Sequence, residues 1–153
     1  MPTMKTLLLF PALILCSSFI ESSETLDCSN FRYAISEAED NAEEAADYAR
    51  RAYYEDDIDD AHDYLRRARS YAEEAMDAAS DAETHAYNCD CSMGASYASD
   101  AESEAEDAYD YARKGINSDD IEDVHDYARR ARSSADDAES AASSGQFYCD
   151  DRR

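Results

Sequence analysis

An all-α fold is what this sequence predicts, and three observations predict it. Beyond the N-terminus, apolar residues recur at steps of three or four along most of the chain, and nearly all of them are alanine, the strongest helix former. Three Gly, two Pro and no Trp in 153 residues leave too few turn residues for a fold of many strands. A shift of 63 residues lays Asp47 to Ser70 over Asp110 to Ser133 without a gap, and sixteen of those 24 positions are identical. The expected architecture is therefore two antiparallel, alanine-rich, coiled-coil-like helical hairpins packed as an up-down four-helix bundle, each hairpin closed by a disulfide.

Residues 1–23 read as an export signal. Lys5 supplies the positive start and Leu7 to Cys16 an apolar run too short to span a bilayer. Cleavage after Ser18, Ser22 or Ser23 fits equally well. Leu13-Ile14-Leu15-Cys16 resembles a bacterial lipobox, whose Cys is lipidated, but places bulky Leu15 where that motif takes a small residue. Export makes the protein secreted or periplasmic, with no membrane contact once the signal is cut.

Two units follow, 24–90 and 91–153. In the first, Ile35, Ala38, Ala42, Ala45, Ala49 and Ala52 form one stripe, and Ile58, Ala61, Leu65, Ala68, Ala72, Ala75, Ala79, Ala82 and Ala86 a second. The second unit repeats this with Ala98, Ala101, Ala105, Ala108, Ala112 and Gly115, then Ile121, Val124, Ala128, Ala131, Ala135, Ala138 and Ala142. Each stripe occupies one narrow side of a helix, as two helices crossing at a shallow angle require. Asp56-Asp57 and Asn117-Ser118 mark the hairpin turns, with acidic residues suited to the helix starts beyond them. Gly115 is expected to end the third helix in the left-handed conformation.

Alanine buries little area, so a further constraint is needed. The exported part keeps Cys28, Cys89, Cys91 and Cys149, an even number in an oxidising compartment. Four cysteines allow three connectivities, and the duplication favours Cys28–Cys89 with Cys91–Cys149. Only Asp90 separates Cys89 from Cys91, so the hairpins join at their clamped ends, which leaves a side-by-side bundle or an extended rod. Tyr48, Tyr64, Tyr71, Tyr111, Tyr127 and Met76 favour the bundle as a contact surface between hairpins, unless they cover the seam within each.

The balance of 37 acidic against 14 basic residues, a net charge of −23, repels phosphate backbones and so argues against nucleic acid as a partner. Asp59-x-x-His62 and Glu122-x-x-His125 are weak metal candidates, since a carboxylate and a His three residues apart on a helix can chelate one ion. They resemble the pairs of di-iron four-helix bundles, but lie in first turns and flank an alanine seam with no room for a cage. Glu55-Asp56-Asp57 and Asp119-Asp120 lack the central Gly and closing Glu of an EF-hand loop, which leaves loose divalent-cation binding. Arg50-Arg51, Arg66-Arg67-Arg69, Arg113-Lys114 and Arg129-Arg130-Arg132 suit ion pairs one turn away. No nucleophile triad, phosphate loop or cofactor motif stands out, so no enzyme and no cofactor are expected.

The leading reading is an exported, non-catalytic binding or structural module whose partner is a protein or a cationic surface. A low-affinity divalent-cation-binding protein is one alternative. Another is a secreted enzyme inhibitor: the four-helix, two-disulfide plan is similar to that of plant invertase and pectin methylesterase inhibitors, though Cys28 and Cys89 do not match that family's closely spaced first pair. The Ala/Tyr pattern of Tyr48 to Ala68 also resembles a tetratricopeptide helix pair, from which the period of 63 departs.

Overall fold

The structure, a computed structural model, describes residues 28–149. The export signal proposed for 1–23 lies outside them. Four helices run in order, α1 (Ser29–Tyr53), α2 (Ile58–Asn88), α3 (Ser92–Ile116) and α4 (Ile121–Tyr148), with no strand among the described residues. Acidic side chains start the second helix of each hairpin. Asp57 accepts from the N–H groups of Asp59 and Asp60 at 2.9 and 3.2 Å, and Asp120 from that of Glu122 at 2.8 Å, each satisfying donors that a helix start leaves unpaired. Arg50 and Arg51 close α1, and Arg113 and Lys114 close α3, positive charge at the negative end of each helix dipole.

α1 packs against α2 and α4, and α3 against α2 and α4, while the diagonal pairs barely touch. This is an up-down four-helix bundle, so the two hairpins lie side by side and not as a rod. Its core is thin and layered. Ala42, Ala75, Ala105 and Ala138, one from each helix, form a central layer, and Ala45, Ala46, Ala72, Ala108 and Ala135 the next. Larger side chains plug the two ends: Phe31 and Ile35 near the cysteines, Leu65 and Val124 near the turns, all fully buried. Methyl groups facing methyl groups let helix axes approach at the low end of the usual range of about 8–10 Å.

Disulfides join Cys28 to Cys89 and Cys91 to Cys149, with Cα atoms 5.5 and 5.7 Å apart. Each bond spans the open end of one hairpin. Such bonds persist in an oxidising compartment, and no helix among the described residues is long and apolar enough to cross a membrane.

Gly115 does not have the role expected of it. α3 runs through it to Ile116, and no glycine among the described residues has positive φ. Its requirement is space: a Cβ there would lie 2.6 Å from Leu65 Cδ1 and 3.2 Å from Tyr127 Cβ. The left-handed residue is Asp90, with φ 56°. Here the N–H groups of Asp90 and Cys91 donate back to the carbonyls of Tyr87 and Ala86 at 3.2 and 2.9 Å, which ends α2 and reverses the chain.

The other two glycines follow the same rule. A Cβ on Gly94 would meet Phe31 Cζ at 2.9 Å and the Cys91–Cys149 sulfurs, and one on Gly145 would lie 3.4 Å from Ile35 Cγ1. All three glycines of the sequence thus belong to the second hairpin; Gly94 and Gly115 leave room for Phe31 and Leu65 of the first, while at Gly145 the tightest neighbour is Tyr97 Cβ of its own hairpin, at 3.2 Å. The tyrosines serve both the seam within a hairpin and the contact between hairpins. Tyr48 and Tyr71 stack at 5.5 Å across the α1–α2 seam, whereas Tyr53 meets His125 and Tyr109 meets Arg69 between hairpins, beside the shared alanine layers.

Candidate functional site

Each helix carries one copy of a short pattern near the turn end: Asp47-Tyr48-Ala49-Arg50, Asp63-Tyr64-Leu65-Arg66, Asp110-Tyr111-Ala112-Arg113 and Asp126-Tyr127-Ala128-Arg129. The third residue of each is buried in the core. Asp and Arg, three apart, then emerge together on the outer face and pair: Asp47 with Arg50 at 2.7 Å, Asp110 with Arg113 at 3.0 Å, Asp126 with Arg129 at 2.7 Å, and Asp63 with Arg66. The next basic residue turns toward tyrosine. Arg51 and Arg67 lie 4.8 and 5.6 Å from the Tyr48 ring centre, and Lys114 and Arg130 lie 4.8 and 6.0 Å from that of Tyr111, within reach of cation–π attraction. Ten of the eleven Lys and Arg between residues 28 and 149 fall in 50–69 and 113–132, so they girdle one half of the bundle.

Asp126 accepts from both Arg129 and Arg130 (2.7 and 3.0 Å), and the two guanidinium groups hold its carboxyl below the usual aspartate range. The same bond raises Arg129. Arg50, Arg51, Arg132, Tyr54, Tyr64 and Glu55 line an open groove of about 650 Å³.

The metal candidates are not brought together. His62 on α2 reaches into the α3–α4 turn, its Nε2 3.0 Å from the carbonyl oxygen of Ser118, and His125 on α4 reaches into the α1–α2 turn, its Nε2 2.7 Å from that of Glu55. A carbonyl only accepts, so each Nε2 carries the proton and donates. The two imidazoles therefore form a reciprocal clasp between hairpins, with His125 also 5.8 Å from the Tyr53 ring centre. Asp59 and Glu122 are exposed. Among the described residues, no group of three or more His, Cys, Asp or Glu is arranged to hold a metal ion.

A second groove, of about 420 Å³, runs along α3 and α4 past Tyr97, Asp100, Ser103, Glu104, Asp137 and Ser140. Partial burial raises the Glu104 carboxyl, and Asp137, Asp107 and Asp100 add to the effect. Glu139 is raised by burial and then by Glu43, Asp136 and Glu39. At the cysteine end, Tyr33, Tyr87, Met93, Phe147 and Tyr148 are exposed, so all four helices present a large apolar side chain there. Tyr148 stacks on Tyr97 at 5.0 Å.

Sequence reasoning missed the fourfold Asp-Tyr-x-Arg pattern, although its recurrence sixteen residues apart inside each hairpin was there to be read. It also missed the histidine clasp. Their equivalence under the repeat was visible, but a carbonyl partner leaves no trace in residue identity. Compared with known proteins, the chain matches no protein family, no curated protein and no solved structure.

Proposed function

We propose that this chain is an exported, non-catalytic helical module, secreted or periplasmic, that binds a partner protein through the cysteine end of its bundle. The observation that carries this reading is where exposed apolar surface collects. Of the seven large hydrophobic residues exposed among the described residues, five lie at that end: Tyr33, Tyr87, Met93, Phe147 and Tyr148. Aromatic residues and Met are enriched at protein interfaces, and apolar surface gathered in one region marks a contact site more than scattered residues do. An alanine core braced by disulfides gives the end a rigid base.

Chemical cross-linking of the mature protein in its native extracellular medium tests this. The same partner should be captured by the wild type and by variants of the girdle such as Arg51→Gln, and lost with Tyr87→Ser plus Phe147→Ser. Equal capture by all three proteins would refute docking at this end.

Loose divalent-cation binding is a second reading, favoured by Glu104 and Glu139. Partial burial first, and then neighbouring carboxylates (Asp137, Asp107 and Asp100 around Glu104; Glu43, Asp136 and Glu39 around Glu139), hold them above the ordinary glutamate range, and a cation relieves the repulsive part. Calorimetric titration with Ca²⁺ should give saturable heats that weaken in Glu104→Gln and Glu139→Gln. Heats no larger than those of ionic strength alone would dismiss it.

A further inference from the structure

One residue connects the hairpins. Cys89 is bonded within the first and Cys91 within the second, and Asp90 between them is exposed with φ 56°, a conformation glycine adopts more readily than aspartate. Because each hairpin is closed on itself by a disulfide, rotation at Asp90 moves whole hairpins, and at the joint it breaks one bond, from the Cys91 N–H to the Ala86 carbonyl that ends α2. The faces that would part are complementary and not alike. Phe31 and Leu65 of the first hairpin fill the spaces left by Gly94 and Gly115 of the second, Ile35 lies in contact with Gly145, and the His62 and His125 bonds run one in each direction between them. Two first hairpins could not pack this way, since the positions equivalent to those glycines under the 63-residue shift are Phe31, Ala82 and Ala52.

We propose that the partner of the opened face is a second copy of this chain. Asp90 leaves the left-handed region, the linker extends, and two molecules exchange second hairpins, so that the first hairpin of each packs on the second hairpin of the other. The exchanged dimer keeps the contacts between unlike hairpins and relieves two left-handed aspartates, while each chain gives its Cys91 N–H and Ala86 carbonyl to water. A one-residue hinge with unfavourable φ is the kind of connection that favours exchange. Because one residue links Cys89 to Cys91, the exchanged bundles would meet at their cysteine ends, the region read above as a docking surface; the inference does not rest on that reading and survives its failure.

The test uses the mature chain with disulfides intact, refolded at rising concentration and sized by light scattering after gel filtration, with circular dichroism confirming equal helicity. The wild type should yield a growing dimer fraction. Asp90→Gly, which eases the closed form, should lower the dimerisation constant about tenfold, and Asp90→Ala, less at ease at positive φ, should raise it by a similar factor. Inserting about six Gly and Ser residues after Asp90 should return the protein to monomer. A wild type and Asp90→Ala that stay monomeric at every concentration would overturn the proposal. So would a dimer fraction equal in all four proteins, which marks contact between outer surfaces.

Discussion

Alanine sets the scale of every contact in this bundle, and the exceptions show how tightly the layers fit. Leu65 and Gly115 are the clearest pair, because the Cβ that Gly115 lacks would fall 2.6 Å from Leu65 Cδ1. Gly115→Ala gains helix propensity, about 1 kcal/mol, yet overpacking costs about 1–3 kcal/mol, so a net loss of stability is expected. Leu65→Ala should cost about 2–5 kcal/mol by leaving a cavity. Combined, the two changes should cost less than their sum by about 1 kcal/mol, since the new methyl enters the space the leucine vacates. Urea denaturation of the four proteins closes this cycle, and strictly additive losses would contradict the packing described.

The second helix of each hairpin begins with a charge, and each helix ends at a covalent or electrostatic stop. Asp57 satisfies two N–H groups of α2 and Asp120 one of α4, so Asp57→Ala should cost about 1 kcal/mol, and Asp120→Ala no more than that. Thermal melts followed by circular dichroism would measure both. The Asp–Arg pairs on the outer faces are a different matter. Their side chains are about half exposed, and Arg50→Ala should change stability by no more than about 0.5 kcal/mol. Disulfides matter more to the hairpin than any ion pair. Replacing Cys28 and Cys89 together by Ser frees a loop with a sequence separation of 61, a loss of about 4 kcal/mol on the chain-entropy account. A double Ser variant that melts with the wild type would show that the alanine seam alone closes the hairpin.

Repulsion governs the molecule as a whole. A net charge of −23 opposes compaction, and at Glu104 and Glu139 partial burial, with neighbouring carboxylates adding to it, holds the carboxyls above the ordinary value of 4.5. A group whose folded value is raised binds its proton more readily in the folded state, so stability increases as pH falls from neutral toward about 4.5. Asp126 has the opposite sign. Arg129 and Arg130 lower it from 3.8, and its contribution, present above that value, is lost as acid protonates it. The melting temperature should therefore rise from pH 7 to about 5 and fall again below about 4. Moderate salt should raise it at pH 7 by screening the carboxylates. A melting temperature that falls steadily from pH 7 downward, or ignores salt, would contradict this account.

Helices, turns and hairpin units were legible because they depend on neighbours. Alanines at steps of three and four specify a stripe, Asp57 and Asp120 announce the helix starts, and a repeat bounded by cysteines outlines two hairpins. What Gly115 does was not legible, because a missing methyl serves a turn or a close approach equally well until Leu65 is placed beside it. The same holds for His62 and His125, whose metal-like spacing along the helix carries no information about a carbonyl on the other hairpin. Whether the hairpins lie together or apart turned on one torsion, at Asp90, and on the fit of Phe31 and Leu65 against Gly94 and Gly115. Those contacts join residues from opposite halves of the chain, and only folding brings them within reach of one another.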